Sequence, residues 1–221
     1  MNNIISYQQL NQRDFDYLRN IIYDEAGIKL SDMKKALVQS RLLRRMREMG
    51  ISSYDEYCNY LRENYDEEIE NLINCITTNK TEFFRESEHF SILQKIVEQE
   101  LSHKNIAVWS AGCSTGEEAY SIAIVLLESK FNKNFKILAT DIDSKVLEIA
   151  RMGVYPIDAV QTIDINMLKK YFLKGKEQYA GYAKVKDFLK KNISFQHINL
   201  LDNNYRLRGY FDIIFCRNVM I

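Results

Sequence analysis

Three stretches of the 221-residue chain combine residue types whose spacing could do chemistry. The first runs Trp109-Ser110-Ala111-Gly112-Cys113-Ser114-Thr115-Gly116-Glu117-Glu118. Its two glycines let backbone approach a ligand closely, and a helix starting there offers N–H groups to an acceptor. The pattern is neither G-x-G-x-x-G nor a P-loop, because no lysine follows the second glycine. The second is Asp141, with Asp143 two residues on. In nucleotide-binding sheets an acid closing a strand accepts from ribose hydroxyls. The third, Thr77-Thr78-Asn79-Lys80-Thr81-Glu82-Phe83-Phe84-Arg85-Glu86, sets small hydrogen-bonding side chains beside two phenylalanines and an arginine. Each has a plainer reading. Glycine suits any strand-to-helix turn, Asp141 would cap a helix beginning near Ser144, and 77–86 would be a linker with a buried aromatic pair.

These residues need strands and helices to aim them. From Asn11 to Ile76 the apolar spacing is helical: Phe15, Leu18, Ile22 and Ala26 share one face, and Gly27 ends it. A second helix is expected from Ser31 to near Gly50, a third after Ser53, and a fourth over Ile69, Leu72, Ile73 and Ile76. The period changes after Glu88. Phe90 to Leu101 reads as a helix, Ile106 to Trp109 as a buried strand, and Glu118 to Glu128 as a helix. Phe135 to Ala139, Ile193 to His197 and Phe211 to Cys216 read as further strands, with a helix at Val146 to Met152. Strands alternating with helices predict a parallel, doubly wound α/β sheet. The expected organisation is an all-helical domain over 1–76, a linker over 77–88 and an α/β domain over 89–221.

The loop follows the first strand and Asp141 closes the second. Together they favour a ribose-bearing ligand. The lack of a phosphate cradle favours a nucleoside without pyrophosphate over NAD, and S-adenosylmethionine (AdoMet) fits that description.

Composition sets outer bounds. Hydrophobic residues make 46% and charged residues 27% of the chain, which excludes a disordered, collagen-like or rod-like protein. Lys+Arg and Asp+Glu are both 30, so the formal charge is zero and a nucleic-acid-coating role is disfavoured. No apolar run approaches a membrane span and no signal peptide is read, so no membrane insertion is expected. Cys58, Cys75, Cys113 and Cys216 form no C-x-x-C pair, and the cytoplasm is the expected compartment. His89, His103 and His197 match no metal spacing, so no metal is expected.

One helix stands out in this neutral chain. Lys34, Lys35, Arg41, Arg44, Arg45 and Arg47 fall between Met33 and Arg47 with no acid among them. Acids crowd the following stretch instead, at Asp55, Glu56, Glu63, Asp66, Glu67, Glu68 and Glu70. The cations either solvate a helix face and pair with that stretch, or dock a partner rich in Asp and Glu. Nucleic acid is a third option, weakened by the zero net charge.

Asn79-x-Thr81-x-Phe83-Phe84-Arg85, the Trp109–Glu118 loop, Thr140-Asp141-Ile142-Asp143, Asn199-Leu200-Leu201 and Phe211-Asp212-x-Ile214-Phe215-Cys216-Arg217-Asn218-Val219-Met220-Ile221 together resemble the chemotaxis-receptor glutamate methyltransferase (CheR) family. Order and spacing agree over the whole chain. The resemblance implies a Rossmann-like AdoMet-dependent methyltransferase sheet preceded by a small all-α domain. It implies methyl transfer from S-adenosyl-L-methionine to glutamate side chains on cytoplasmic signalling helices of chemoreceptors, leaving S-adenosyl-L-homocysteine (AdoHcy). Carried over, the cofactor residues are Asn79, Thr81, Arg85, Glu118, Asp141, Asn199, Leu200, Arg217 and Asn218, with Gly112 from the loop. Arg85 is the catalytic candidate; it would steer the incoming carboxylate or bind the cofactor's own. The basic helix becomes the receptor-docking surface: Lys34, Arg41, Arg44, Arg45 and Arg47.

The chain departs from that pattern in places. Family members continue past Ile221 with an aromatic residue beside the site and further strands. Four strand candidates stand here where the family's sheet has seven. The expectation is therefore a C-terminally truncated sheet that either associates through its last strand or is poorly stable, and that is weak in catalysis. Ala119 stands where relatives often carry proline. A small inserted subdomain is expected near 171–195. Two other functions compete: a methyltransferase for another substrate such as nucleic-acid amines, and a non-catalytic AdoMet/AdoHcy-binding docking module. The first of these often shows Asn/Asp-Pro-Pro-aromatic, absent from Asn218-Val219-Met220-Ile221.

Overall fold

The computed structural model describes residues 9–77, 79–130, 134–205, 207 and 209–219. The chain forms two compact units, residues 1–78 with 199–203, and residues 79–198 with 204–221.

The first unit is helical. It contains α1 (Gln12–Ala26), α2 (Lys35–Met49), α3 (Tyr54–Glu63) and α4 (Tyr65–Ile76). A 3-10 turn at Asp32–Lys34, with Ser31 at its N-cap position, leads into α2, so the helix expected just after Ser31 begins as a tighter turn. Asn11 and Ser53 cap α1 and α3, each accepting a backbone N–H of the first turn, from Asp14 and Glu56. Phe15, Leu18 and Ile22 of α1, Val38, Leu42 and Met46 of α2, Tyr57 and Leu61 of α3, and Leu72 of α4 are fully buried. Apolar spacing of three and four put them on inward faces.

The basic helix divides its cations between inside and outside. Arg45 forms a two-point pair with Glu68 of α4, Nε to Oε1 at 3.0 Å and Nη2 to Oε2 at 2.6 Å. Tyr57 adds a hydroxyl donor to the same carboxylate at 2.9 Å. Glu68 is 1% exposed, while the Arg45 side chain keeps 20%. The Glu68 hydrogen bonds raise the Arg45 pKa against the opposing effect of burial. Arg41 reaches the end of α4 and donates to the carbonyls of Ile76 and, at 3.0 Å, Thr77. Both arginines, expected on the docking surface, thus hold the unit together. The reason is their position one turn apart on the side of α2 that packs on α4, where unpaired helix-end carbonyls and a buried acid need cations. Lys34, Arg44 and Arg47 face outward. Arg44, whose side chain is 88% exposed, pairs with Glu48 at 3.2 Å.

The second unit carries a parallel sheet in the order β6-β2-β1-β7. Its strands are β1 (Ile106–Ala111), β2 (Phe135–Asp141), β6 (Ile193–His197) and β7 (Ile213–Cys216). Helices α5 (Glu88–Gln99), α6 (Glu117–Glu128) and α7 (Ser144–Met152) belong to this unit. Val108, Ile122, Ala123, Ile124, Ala139 and Leu147 lie fully buried in its core. The register sets Ala111 beside Thr140 on one side and beside Cys216 on the other. The ends of β1, β2 and β7 therefore lie level. Among the described residues β7 pairs with β1 alone.

Between α7 and β6 the chain builds a second sheet, antiparallel, ordered β3-β5-β4 from β3 (Val154–Pro156), β4 (Phe172–Lys174) and β5 (Tyr182–Val185). Helix α8 (Ile165–Tyr171) precedes β4, and α9 (Asp187–Lys190) follows β5. This insert differs from the expected 171–195: Val154–Pro156 supplies one edge, and Ile193–Phe195 belong to β6. Pro156 sits on an edge strand, where its missing N–H is tolerated.

The Arg45–Glu68 pair yields a stability prediction. Arg45→Met leaves a buried carboxylate without its cation and is expected to cost about 3–5 kcal/mol. Arg45→Met/Glu68→Met is expected to recover most of that loss. Urea unfolding followed by helical circular dichroism measures both. The single tryptophan, Trp109, lies in the sheet unit and serves as the internal control. Equal stability of the single variant and the parent would remove the pair from the fold's foundations.

Candidate functional site

Parallel strands bring their carboxyl ends to one side of the sheet, and ligands of such sheets bind there. In this chain that side carries the 112–116 loop after β1, Asp141 at the end of β2, and Arg217 just past β7.

The loop is held from within. Gly112 and Cys113 both donate their N–H to Thr140 O, at 2.8 and 2.9 Å. Ser114 donates its N–H to Asp141 Oδ2 at 2.8 Å, and Gly116 donates to Cys113 O. Donors expected to face a ligand are thus engaged by the protein, which agrees with a loop that cradles no phosphate. Gly112 has φ +80°, and a Cβ there would lie 2.3 Å from a Val219 methyl. Gly116 has φ +95° and lies against Ala150 and the Tyr155 hydroxyl. Only glycine meets both the left-handed backbone and the close approach.

Asp141 ties the loop to β2. Beyond the bond from Ser114, its Oδ1 accepts the Asp143 N–H at 3.0 Å. Each carboxylate oxygen has two lone pairs, so acceptor capacity remains for hydroxyls. Asp141 is not the cap of α7. Asp143 takes that role, accepting from Lys145 and Val146 N–H groups.

Glu118 and Arg217 form the second cluster. Glu118 Oε1 accepts from Ser110 Oγ at 2.6 Å, and its Oε2 accepts from Arg217 Nη1 at 3.2 Å. Arg217 Nη2 donates to Arg85 O at 2.6 Å and Glu86 Oε2 at 2.9 Å. The Arg217 side chain is 12% exposed, and its Nε is buried with no hydrogen-bond partner among the described residues. That atom points to a further acceptor. Hydrogen bonds from Arg217 first, and also from Asn218, hold the Glu86 carboxyl below the ordinary range. Phe84 and Glu86 both adopt positive φ, +54° and +56°, as the segment winds around these contacts. Asn218 has φ +57° as well.

The remaining expected residues are placed as follows. Asn79 donates from Nδ2 to Asp143 Oδ2 at 2.8 Å, and its carbonyl accepts from Ser114 Oγ. Thr81 is half-buried in the same segment. Arg85 donates from Nη1 to Lys80 O and is half-buried. Asn199 and Leu200 belong to the helical unit, where the Asn199 amide donates to Glu25 O at 2.6 Å. Sequence reasoning did not find Ser110, which fixes Glu118, or Tyr155, whose hydroxyl donates to Thr115 O at 2.7 Å. Position gave a signal for Ser110, a polar residue directly after the expected strand Ile106–Trp109. Nothing in the sequence marked Tyr155.

The chemistry of this set fits AdoMet: an acid for ribose hydroxyls, a buried carboxylate suited to an ammonium group, and a buried guanidinium N–H suited to a carboxylate. Burial raises the pKa of Asp141, Glu117 and Glu118 above their ordinary values. Hydrogen bonds from Asp143 and Ser114, from Thr115, and from Ser110 with Arg217 respectively only partly oppose it. The Cys113 thiol is pushed far up by burial, with Asp141 and Glu118 adding to the effect. It stays protonated and is no nucleophile.

These raised acids give a pH dependence of definite sign. A raised folded-state pKa means the folded unit keeps a proton the unfolded chain has lost. Its contribution to stability is full below the ordinary carboxylate range, roughly 3.9–4.3, and declines as pH rises through the raised value. Exposed Glu86, Glu128 and Asp212 are lowered by hydrogen bonds from Arg217, Lys170 and Lys104 and act in the opposite sense. The comparison is therefore between the parent and Glu118→Gln. The parent's stability relative to the variant is expected to fall as pH rises from about 4 to 7, read by Trp109 fluorescence melts. A relative gain over that window would contradict the burial argument.

Comparison with known proteins agrees with this geometry. Residues 79–221 match the family described as "CheR methyltransferase, SAM binding domain", and residues 13–77 match "CheR methyltransferase, all-alpha domain". Chemotaxis protein methyltransferase 2 of Pseudomonas aeruginosa is 42% identical over 214 residues, covering 95% of this chain and 76% of the relative. The chemotaxis protein methyltransferase of Salmonella typhimurium is 40% identical over 215 residues, covering 96% and 74%. That of Borreliella burgdorferi is 41% identical over 225 residues, covering 96% and 78%. With a helical unit, a parallel α/β sheet and a site suited to AdoMet at its strand ends, the chain belongs to the CheR family of AdoMet-dependent methyltransferases.

Proposed function

We propose that the chain methylates glutamate side chains on the cytoplasmic signalling helices of chemoreceptors, forming glutamyl methyl esters in chemotactic adaptation, and that it works in the cytoplasm. The relatives' names state methyl transfer in chemotaxis. The observation that carries the choice of a carboxylate substrate is the meeting of two arginines at the strand ends, Arg217 donating from Nη2 to the Arg85 carbonyl at 2.6 Å, so that one cation can serve the cofactor's carboxylate and the other the incoming one. Arg217, 12% exposed, already binds two carboxylates, and its Nε–H has no acceptor among the described residues.

AdoMet supplies an electrophilic methyl group on a sulfonium. A glutamate carboxylate, with a reference pKa near 4.3, is already ionised at neutral pH and needs no general base. One carboxylate oxygen forms the new C–O bond as the C–S bond breaks, the electron pair stays on sulfur, and no proton moves. The protein's work is alignment and exclusion of water, which is worth roughly 7–11 kcal/mol where the attack geometry is held. In this reading Asp141 holds the ribose, while Asn79, Thr81, Gly112 and Asn218 complete the cofactor's surroundings in the sheet unit; Asn199 and Leu200 are assigned to the cofactor by the family's pattern alone. Glu118 takes the ammonium end and Arg217 a carboxylate. Arg85 steers the incoming glutamate. Outward-facing Lys34, Arg44 and Arg47 meet the acidic receptor bundle; Arg41 and Arg45 support the helix that presents them.

Three outcomes are expected. Label from methyl-tritiated AdoMet transfers to receptor-containing membranes and is released as methanol by mild base, as an ester requires; base-stable label, or label in nucleic acid, would overturn the substrate assignment. Asp141→Ala weakens AdoHcy binding by about 2–3 kcal/mol, since a charged acceptor is lost, and calorimetry measures it. Lys34→Glu/Arg44→Glu weakens receptor binding and flattens its salt dependence while leaving AdoHcy affinity unchanged. Unchanged receptor affinity would return those cations to simple solvation.

A further inference from the structure

Asp143 makes more bonds than a helix cap needs. It is 2% exposed. Its Oδ1 accepts from Lys145 N at 2.9 Å and Val146 N at 3.3 Å, which completes the cap of α7. A serine, threonine or asparagine would do as much. Its Oδ2 turns the other way and accepts from Asn79 Nδ2 at 2.8 Å, across 64 residues of chain. Its backbone N–H donates to Asp141 Oδ1 at 3.0 Å. One residue thus touches two of the residues assigned to the cofactor. A carboxylate is the side chain that suits this place, because both its oxygens accept. Asparagine would keep the cap but turn an N–H toward the Asn79 N–H.

We infer that Asp143 is a positioning residue of the cofactor site, setting through Oδ2 which atom of the Asn79 amide faces the ligand. The inference rests on the reading that Asn79 and Asp141 hold the cofactor. An amide is two-faced: with Nδ2 drawn to Asp143, Oδ1 is directed away from it. The Ser114 hydroxyl holds the Asn79 carbonyl at 3.2 Å, so the residue is fixed at backbone and side chain at once. The segment bearing Asn79 and the start of α7 are in this way joined through the Asp143 carboxylate, and the loop after β1 joins them through the Ser114 hydroxyl.

The test is calorimetry with AdoHcy on the full chain, beside thermal melts. Asp143→Asn keeps the cap and is expected to melt like the parent. It is expected to bind AdoHcy about 10-fold more weakly, the scale of one charge-assisted hydrogen bond. Asp143→Ser, whose shorter hydroxyl caps the helix without spanning to Asn79, is expected to show the same loss. In methyl transfer the KM for AdoMet rises by about the same factor while kcat at saturation is held. Asn79→Ala/Asp143→Asn is expected to bind no worse than Asn79→Ala, because both changes remove one function. Parent-like affinity in both Asp143 variants overturns the inference, as do fully additive losses in the double variant. If Asn79→Ala and Asp141→Ala themselves leave AdoHcy affinity unchanged, the site reading falls first and takes this inference with it.

Discussion

The buried carboxylate of Asp141 is the bond on which the site depends. It closes β2, yet its hydrogen bonds run to Ser114 in the loop after β1 and to Asp143 at the start of α7. Two connections of the sheet are thereby pinned to the end of a third element. The arrangement opposes desolvation, which raises this acid's pKa, with backbone donors that favour the charged form. A neutral acid could not accept equally from two N–H groups and hydroxyls. The geometry of the loop and the ionisation of the acid are therefore one property. The left-handed glycines at 112 and 116 serve it, since they let the loop fold back far enough for Ser114 to reach β2.

Charge is used differently in the two units. In the helical unit buried Glu68 is paired with half-buried Arg45, and the pair is completed by a tyrosine hydroxyl. Such pairs bring little net stability relative to apolar residues, but they are severe about register: a shifted helix leaves a bare charge. In the sheet unit, Arg217 gathers Glu118, Glu86 and a backbone carbonyl and still has its Nε–H unmatched among the described residues. A saturated cluster specifies structure. An unsaturated one specifies structure and leaves an attraction for something else.

Much of this was legible in the sequence. Ile106 to Trp109 reads as a strand because a parallel strand buried on both faces is a continuous apolar run. Of the expected Phe211–Cys216 strand only Ile213–Cys216 is strand, the Asp212 side chain turning to Lys104 and the Ala107 N–H. The end of β1 was not legible, because Ser110 is polar and reads as the start of the glycine loop. Its strand character comes from backbone pairing, Ser110 with Ala139 and Ala111 with Thr140, which side-chain pattern does not report. The small sheet was hidden for another reason: β3 and β4 have three residues each, too few for a period of two to show. Charge types on α2 were plain, but direction was not. Whether Arg45 faces water or Glu68 depends on a partner 23 residues away on another helix.

The insert also shows why a site built at strand ends depends on residues well outside it. Phe83, which lies between Thr81 and Arg85, packs edge-on against Tyr155 of β3 at 5.1 Å and Phe172 of β4 at 5.4 Å. The same Tyr155 gives its hydroxyl to Thr115 in the glycine loop. Two edge strands of the small sheet therefore grip the cofactor segment, and one of them also fixes the loop. Aromatic contacts of this kind transmit displacement because a close-packed interior has no slack to absorb it. The small sheet is thus part of the apparatus that holds the site, although it contributes none of the residues assigned to the cofactor.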